Sequence, residues 1–154
     1  MVVLENEPII DKTLIGKILM RRGLIEEQQL KQALDNQRSD ERLIGEILVN
    51  LGYLQEIDIV VALIIQCNLP YIAINKYEIN EDVLGFVPED FAREFHVIPM
   101  ERVGSILSVV MADPLDRRIK ERIEERSQLK VAPFIATQTE IDQAIDRWYT
   151  RQYE

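Results

Sequence analysis

Few side chains in this sequence are equipped for covalent chemistry, and those few stand apart. His96 is the single histidine and Cys67 the single cysteine among 154 residues. His96 has Glu94 nearby, but no G-x-S-x-G elbow and no adjacent cysteine supplies the nucleophile that a catalytic base would activate. Within "FHVIP" it reads as a helix-to-strand junction. Cys67 closes an apolar run and reads as a packing residue. One cysteine also excludes an internal disulfide and a cysteine zinc cluster. Gly16-Lys17 lacks both the glycine-rich loop before it and the Ser or Thr after it that cradle nucleotide phosphates. Asp113 and Asp116 could suggest a magnesium pair, but Pro114 lies between them and a helical pattern follows. Asp113 is therefore expected as the helix N-cap, Pro114 as its first residue and Asp116 as an acid near its amino terminus. No catalytic residue and no metal site are expected; the chain reads as a non-enzyme.

Charge narrows the partners. Acidic residues outnumber Lys and Arg by 27 to 18, for a formal charge of -9. That balance argues against a broad DNA or RNA surface, yet a small anion can still be held by local cations. "RRIKERIEER" mixes both signs, as on a solvated helix face. The opening "MVVLENEPII" is acidic and interrupted by Pro8, unlike a secretory signal. The longest apolar stretch, around "IVVALII", is too short to insert into a membrane. A soluble, cytoplasmic protein is expected.

Positioning of any site falls to a duplicated phrase. "LIGKILMRRGLI" and "LIGEILVNLGYL" begin at Leu14 and Leu43, an offset of 29 residues. At that offset Ile18 matches Ile47, Leu19 matches Leu48, Gly23 matches Gly52 and Gln37 matches Gln66. Helices are predicted over 14–22, 26–36, 43–51 and 56–67, with Gly23 and Gly52 as left-handed stops. The fourth, "EIDIVVALIIQC", has almost no wet face, so it should be central and touch both its own layer and the next subdomain, or else a subunit partner.

After residue 68 the pattern changes. "YIAI", "VIPME", residues 106–111 and "KVAPFIA" are strand candidates, with Pro99 confining its segment to an edge. Asn80 suits a cap and Pro88 the first turn of a helix over 89–95. Thr137 and Glu140 form a capping box for a final helix. The strand, helix, strand, helix order after residue 106 predicts a parallel crossover. The expected fold is α+β: an amino-terminal helical bundle of two repeated helix pairs (1–68), followed by a small α/β-sandwich-like subdomain with three or four short strands (69–154).

The repeat resembles the tandem motifs of the MshEN domain, the amino-terminal domain of type II secretion and type IV pilus assembly ATPases. The residues that carry the resemblance are Leu14, Ile15, Gly16, Leu19, Gly23, Leu30, Leu34 and Gln37, then Leu43, Ile44, Gly45, Leu48, Gly52, Ile59, Leu63 and Gln66. "NLPYIAINKYEI", "LSVVMADPLD" and "IATQTEIDQAIDRWY" resemble the family's continuation. The resemblance implies no required cofactor and a ligand, cyclic di-GMP, at the repeats. Gly16 and Gly45 would let a flat base approach the backbone, while leucines cover its faces and helix amino termini meet phosphate. The family's binding phrase starts with arginine, however, and both copies here start with leucine, which offers no guanidinium. Arg42, one residue early, with Lys12 and Arg38, are the cations near enough in sequence to substitute. The first expectation is therefore a non-catalytic regulatory or adaptor domain that docks to a secretion or pilus assembly ATPase or a membrane-platform protein. A cyclic di-GMP receptor is the alternative. Either would work in the cytoplasm, peripheral to the inner membrane through protein partners.

Overall fold

Each repeated phrase folds into a helix, a glycine turn and a second helix: α1 (Leu14–Arg21) with α2 (Glu27–Gln37), then α3 (Ile44–Asn50) with α4 (Glu56–Cys67). The computed structural model describes residues 14–37 and 42–150; Lys12 and Arg38 lie outside them. The copies match in backbone detail. Gly23 and Gly52 take φ of +72° and +83°. In the first copy Leu24 N–H donates to Leu19 O at 3.0 Å and Gly23 N–H to Met20 O at 2.9 Å. Tyr53 N–H to Leu48 O at 3.1 Å and Gly52 N–H to Val49 O at 2.9 Å repeat the pattern, which satisfies the last carbonyls of each helix. The following helices start alike too: Glu26 N–H donates to Gln29 and Gln55 N–H to Asp58, both at 2.8 Å. The Tyr53 hydroxyl bonds Gln32, tying one copy to the other.

Glycines in the first helix of each pair allow the second to come close. A Cβ on Gly16 would lie 2.4 Å from Leu30 Cδ1, and one on Gly45 would lie 2.8 Å from Ile59 Cδ1. Leu19, Leu48, Ala33 and Ala62 are fully buried around these crossings and form the core of the helical layer.

The rest of the chain builds a three-stranded sheet in the order β1 (Val97–Val103), β2 (Ile106–Met111), β3 (Lys130–Ile135). β1 and β2 are antiparallel, with an irregularity between Pro99 and Glu101, and β1 lies at the edge as its proline requires. β2 and β3 are parallel, connected through α6 (Arg117–Ser127). α5 (Glu89–Phe95) precedes the sheet and α7 (Gln138–Thr150) follows it, with Thr137 and Glu140 bonding reciprocally at its start. His96 ends α5 in the left-handed region, at φ 52°, directly before β1. The sheet core includes Trp148 and Tyr149, whose hydroxyl donates to Val87 O.

Three local expectations change. "YIAI" is no strand: Tyr71 makes an isolated parallel bridge to Ile135, because the chain turns into a 3-10 helix at Ile74–Lys76. Asp113 is not the helix cap. Its Oδ1 accepts from Leu115 N–H at 3.1 Å, closing a turn around Pro114, and Asp116 caps α6 by accepting from Arg118 N–H at 3.1 Å. Proline fits that turn as well as a first helical position, and this delays the helix by a few residues. Finally, α4 buries only part of its apolar surface. Val60 and Leu63 pack with Ile135 to join the helical layer to the sheet, but Ile57, Val61 and Ile65 remain exposed.

Candidate functional site

Between the helical layer and the sheet lies a cavity of about 770 Å³, within the range of small-molecule and cofactor sites. The first copy contributes Leu14, Ile15 and Gln37; the second contributes Arg42 to Glu46, with Ile59, Val60 and Leu63 behind them. The opposite wall comes from the segments that follow β2 and β3: Ala112, Asp113, Leu115 and Asp116 with the first turn of α6, and Ala136 and Thr137 with Gln138 at the start of α7. Both leave the carboxyl ends of parallel neighbours, where open sheets commonly place ligands.

Half of the site residues expected from the sequence meet here: Leu14, Ile15, Gln37, Arg42, Leu43, Ile44, Gly45 and Leu63. The others do not line it. Leu19 and Leu48 are sealed in the core, Leu30 and Leu34 pack in the helical layer, and Gly23 and Gly52 serve turns. Gln66 is exposed, away from the wall. The opening that Gly16 would offer a base is filled by Leu30. The two copies are thus equivalent as folding units and unequal as cavity walls.

The lining pairs an apolar floor with a mixed rim. Leu14, Ile15, Leu43, Ile59 and Leu63 can cover flat rings, while Arg42, Arg117 and Arg118 bring positive charge. Arg118 is partly engaged, its Nη2 lying 3.2 Å from Asp116 Oδ2. Gln37 Nε2 donates to Arg42 O at 3.2 Å, which holds the end of the first copy against the start of the second. Two carboxylates of the helical layer are spent on α7. Gln138 Nε2 donates to Glu46 at 2.8 Å, and Glu56 accepts from both the Thr139 N–H (3.2 Å) and its hydroxyl (2.8 Å). Among the described residues no cluster of His, Cys, Asp and Glu could hold a metal ion.

The residues missed at the sequence level are chiefly Asp113, Asp116, Arg117 and Gln138, in the segments that follow β2 and β3, and Phe95 at the end of α5. Their signal is the buried strand "SVVMA" running straight into Asp113-Pro114, a strand end rather than a mere helix start. Burial pushes the Asp113 carboxyl above its ordinary value, against the opposing pull of the Leu115 N–H. Burial, then the charge of Asp113, also push the Cys67 thiol up, as befits a packed, unreactive cysteine.

The raised Asp113 has a consequence for stability. As pH rises from the ordinary carboxylate range through its folded value, the native state keeps a proton the unfolded chain has lost, so stability falls. Asp113→Asn removes that penalty while keeping an acceptor for Leu115. Its melting temperature should exceed that of the wild type in neutral buffer, with the gap closing as the solution is acidified. Melting curves over a pH series read this directly; parallel profiles for the two proteins would contradict the assigned burial effect.

Known proteins share this architecture. The sequence profile of the MshEN domain matches residues 67–153. The type IV pilus assembly ATPase PilB of Myxococcus xanthus (strain DK1622) is 28% identical over 138 residues, covering 90% of this chain and 24% of that protein. PilB of Thermus thermophilus is 28% identical over 137 residues, covering 88% of this chain and 15% of that protein. The chain thus spans a quarter or less of these curated relatives. Among solved structures, MshE with cdg superposes with a TM-score of 0.69 at 29% identity, over 88% of this chain and 98% of that one. The amino-terminal domain of XpsE gives a TM-score of 0.70 at 23% identity, over 89% and 94% respectively. The XpsE likeness speaks for the fold alone.

Proposed function

This chain belongs to the MshEN domain family, and from that premise we propose that it is a regulatory domain of a secretion or pilus assembly ATPase that takes cyclic di-GMP in the cavity between its repeats and its sheet. One observation carries the reading. A cavity of about 770 Å³, walled by both repeats, occurs in a chain that superposes on nearly the whole of an MshE structure bearing cdg, the abbreviation of cyclic di-GMP. Leu14, Ile15, Leu43 and Leu63 would cover the guanine faces by burial of apolar surface. Arg42 and Arg117 would face the phosphates, where charge-assisted bonds are the strong ones. The role is non-catalytic: occupancy would alter how the helical layer sits on the sheet and so what the attached motor or its membrane platform encounters. Among the described residues no helix is long and apolar enough to cross a membrane; the proposed contact with the membrane platform is one between proteins, on the cytoplasmic side of the inner membrane.

A second reading, docking without a nucleotide, is favoured by the leucines at both family arginine positions, Leu14 and Leu43. Each missing guanidinium forfeits a charged hydrogen bond of about 1.5–3 kcal/mol. Calorimetry with cyclic di-GMP, and with GTP as a mononucleotide control, separates the two. Under the receptor reading the wild type binds the cyclic dinucleotide selectively. Arg42→Ala should weaken it by about tenfold or more, and Leu43→Arg should tighten it by a similar factor. Heat signals absent from both the wild type and Leu43→Arg at tens of micromolar, on the order of 7 kcal/mol of binding energy, would leave docking as the function.

A further inference from the structure

Three aliphatic side chains of α4 are left in the open. Ile57, Val61 and Ile65 recur every fourth residue and keep 50%, 42% and 59% of their surface exposed. They form a ridge on the side of the helix turned away from the inward-packed Val60 and Leu63.

The duplication supplies an internal control. At the offset of 29 residues their counterparts on α2 are Gln28, Gln32 and Asn36, and these are exposed as well. The inward positions behave oppositely: Leu30 corresponds to Ile59 and Ala33 to Ala62, apolar in both copies. The helix pair therefore folds with amides at the three outward places, one of which, Gln32, also bonds Tyr53 of the other copy. Aliphatic residues there answer no need of the fold, and a contiguous exposed apolar ridge marks an interaction surface.

Charge identifies the class of partner. Residues 43–75 contain no Lys or Arg but include Glu46, Glu56 and Asp58, and the whole chain carries -9. Glu56 and Asp58 flank Ile57 at the amino-terminal end of the ridge. Ridge-to-ridge pairing of two copies would bring acidic surfaces together. So narrow a ridge also falls short of the roughly 800 Å² per partner that a stable protein pair buries. A cationic partner instead gains from the same field.

We propose that the α4 ridge is the docking surface for a basic amphipathic helix of another protein. That helix lays aliphatic residues at i, i+4 spacing on Ile57, Val61 and Ile65, and carries Lys or Arg along the edge facing Glu56 and Asp58. α4 turns Ile59 and Leu63 to the cavity and the ridge to the outside, and Glu56, at the ridge's amino-terminal end, borders both.

The test uses the full chain and two labelled synthetic helical peptides with one leucine ridge, edged by lysine in one and by glutamate in the other. Fluorescence anisotropy should show salt-sensitive binding of the lysine peptide alone. Affinity should drop about tenfold or more in the triple variant Ile57→Gln/Val61→Gln/Ile65→Asn, which installs the residue types of the first copy. Circular dichroism should show unchanged helix content, and Val61→Gln alone provides a milder variant. No binding of the lysine peptide, equal binding of both peptides, or equal binding by wild type and triple variant would each overturn the proposal. So would self-association of the wild type in light scattering that the triple variant abolishes, which would make the occupant a second copy.

Discussion

Replacing Ile135 by alanine is expected to cost about 2–5 kcal/mol and to uncouple the unfolding of the helical layer from that of the sheet. Ile135 is completely buried with Val60 and Leu63, and this small cluster lies between the two larger cores. Its backbone is also a junction, since its N–H donates to Pro70 O and its carbonyl accepts from Ile72 N–H, both at 2.9 Å. Truncating the side chain leaves those bonds in place and removes the apolar contact alone. Against a total stability of about 5–15 kcal/mol, the loss is large. The single tryptophan, Trp148, is buried in the sheet core, so its fluorescence follows that half alone, while far-ultraviolet circular dichroism sums α1–α4 with the helices of the sheet half and registers both. In urea the two signals should coincide for the wild type and separate for Ile135→Ala. Such a separation would support folding units of 1–68 and 69–154; coincident transitions in the variant would argue for one indivisible unit.

Gly16→Ala and Gly45→Ala should differ in sign or size although the glycines are repeat equivalents. Each substitution gains about 1 kcal/mol of helix propensity. At Gly16 the new methyl meets Leu30 Cδ1, Cδ2 and Cγ at 2.4, 3.1 and 3.3 Å. The whole end of a buried leucine is in the way, so rotating one methyl does not relieve it. Overpacking of about 1–3 kcal/mol then offsets or outweighs the gain, and net destabilisation of up to about 2 kcal/mol is expected. At Gly45 only Ile59 Cδ1 is crowded, at 2.8 Å, with its other atoms at 3.7 Å or beyond. Ile59 lines the cavity and can turn into it, so Gly45→Ala should remain within about 1 kcal/mol of the wild type. The same turn narrows the cavity, so under the receptor reading cyclic di-GMP binding should suffer there more than stability does. Chemical denaturation of both variants measures the first effect and calorimetry the second; equal destabilisation would show that the helix crossings are interchangeable after all.

The repeat is legible because its signals are local. Apolar spacing, glycine stops and the start of α4 at Glu56 follow from short-range rules, and the structure agrees at each. The same holds for β2 and for the Thr137–Glu140 box. Legibility fails where a residue's role depends on what lies across a gap. Nothing in "LIGKILM" distinguishes a glycine that admits a ligand from one that admits Leu30. Nor does "MADPLD" announce that its turn will face residues from the other half of the chain. "YIAI" has strand composition, yet only Tyr71 finds a bridge partner. The apolar character of α4 is plain in the sequence, but an outward ridge can be told from an inward one only once its neighbours are in place.

Glu56 ties these halves together in a mechanical sense. As the first residue of α4 it sits at the positive end of that helix, and it also receives two hydrogen bonds from Thr139 in the first turn of α7. One carboxylate is thus the counter-charge for two helix dipoles. Sliding α4 past α7 breaks both Thr139 bonds to Glu56 at once. The capping boxes at Gln55–Asp58 and Thr137–Glu140 keep each amino terminus compensated, so the joint is a latch that opens without unravelling either helix.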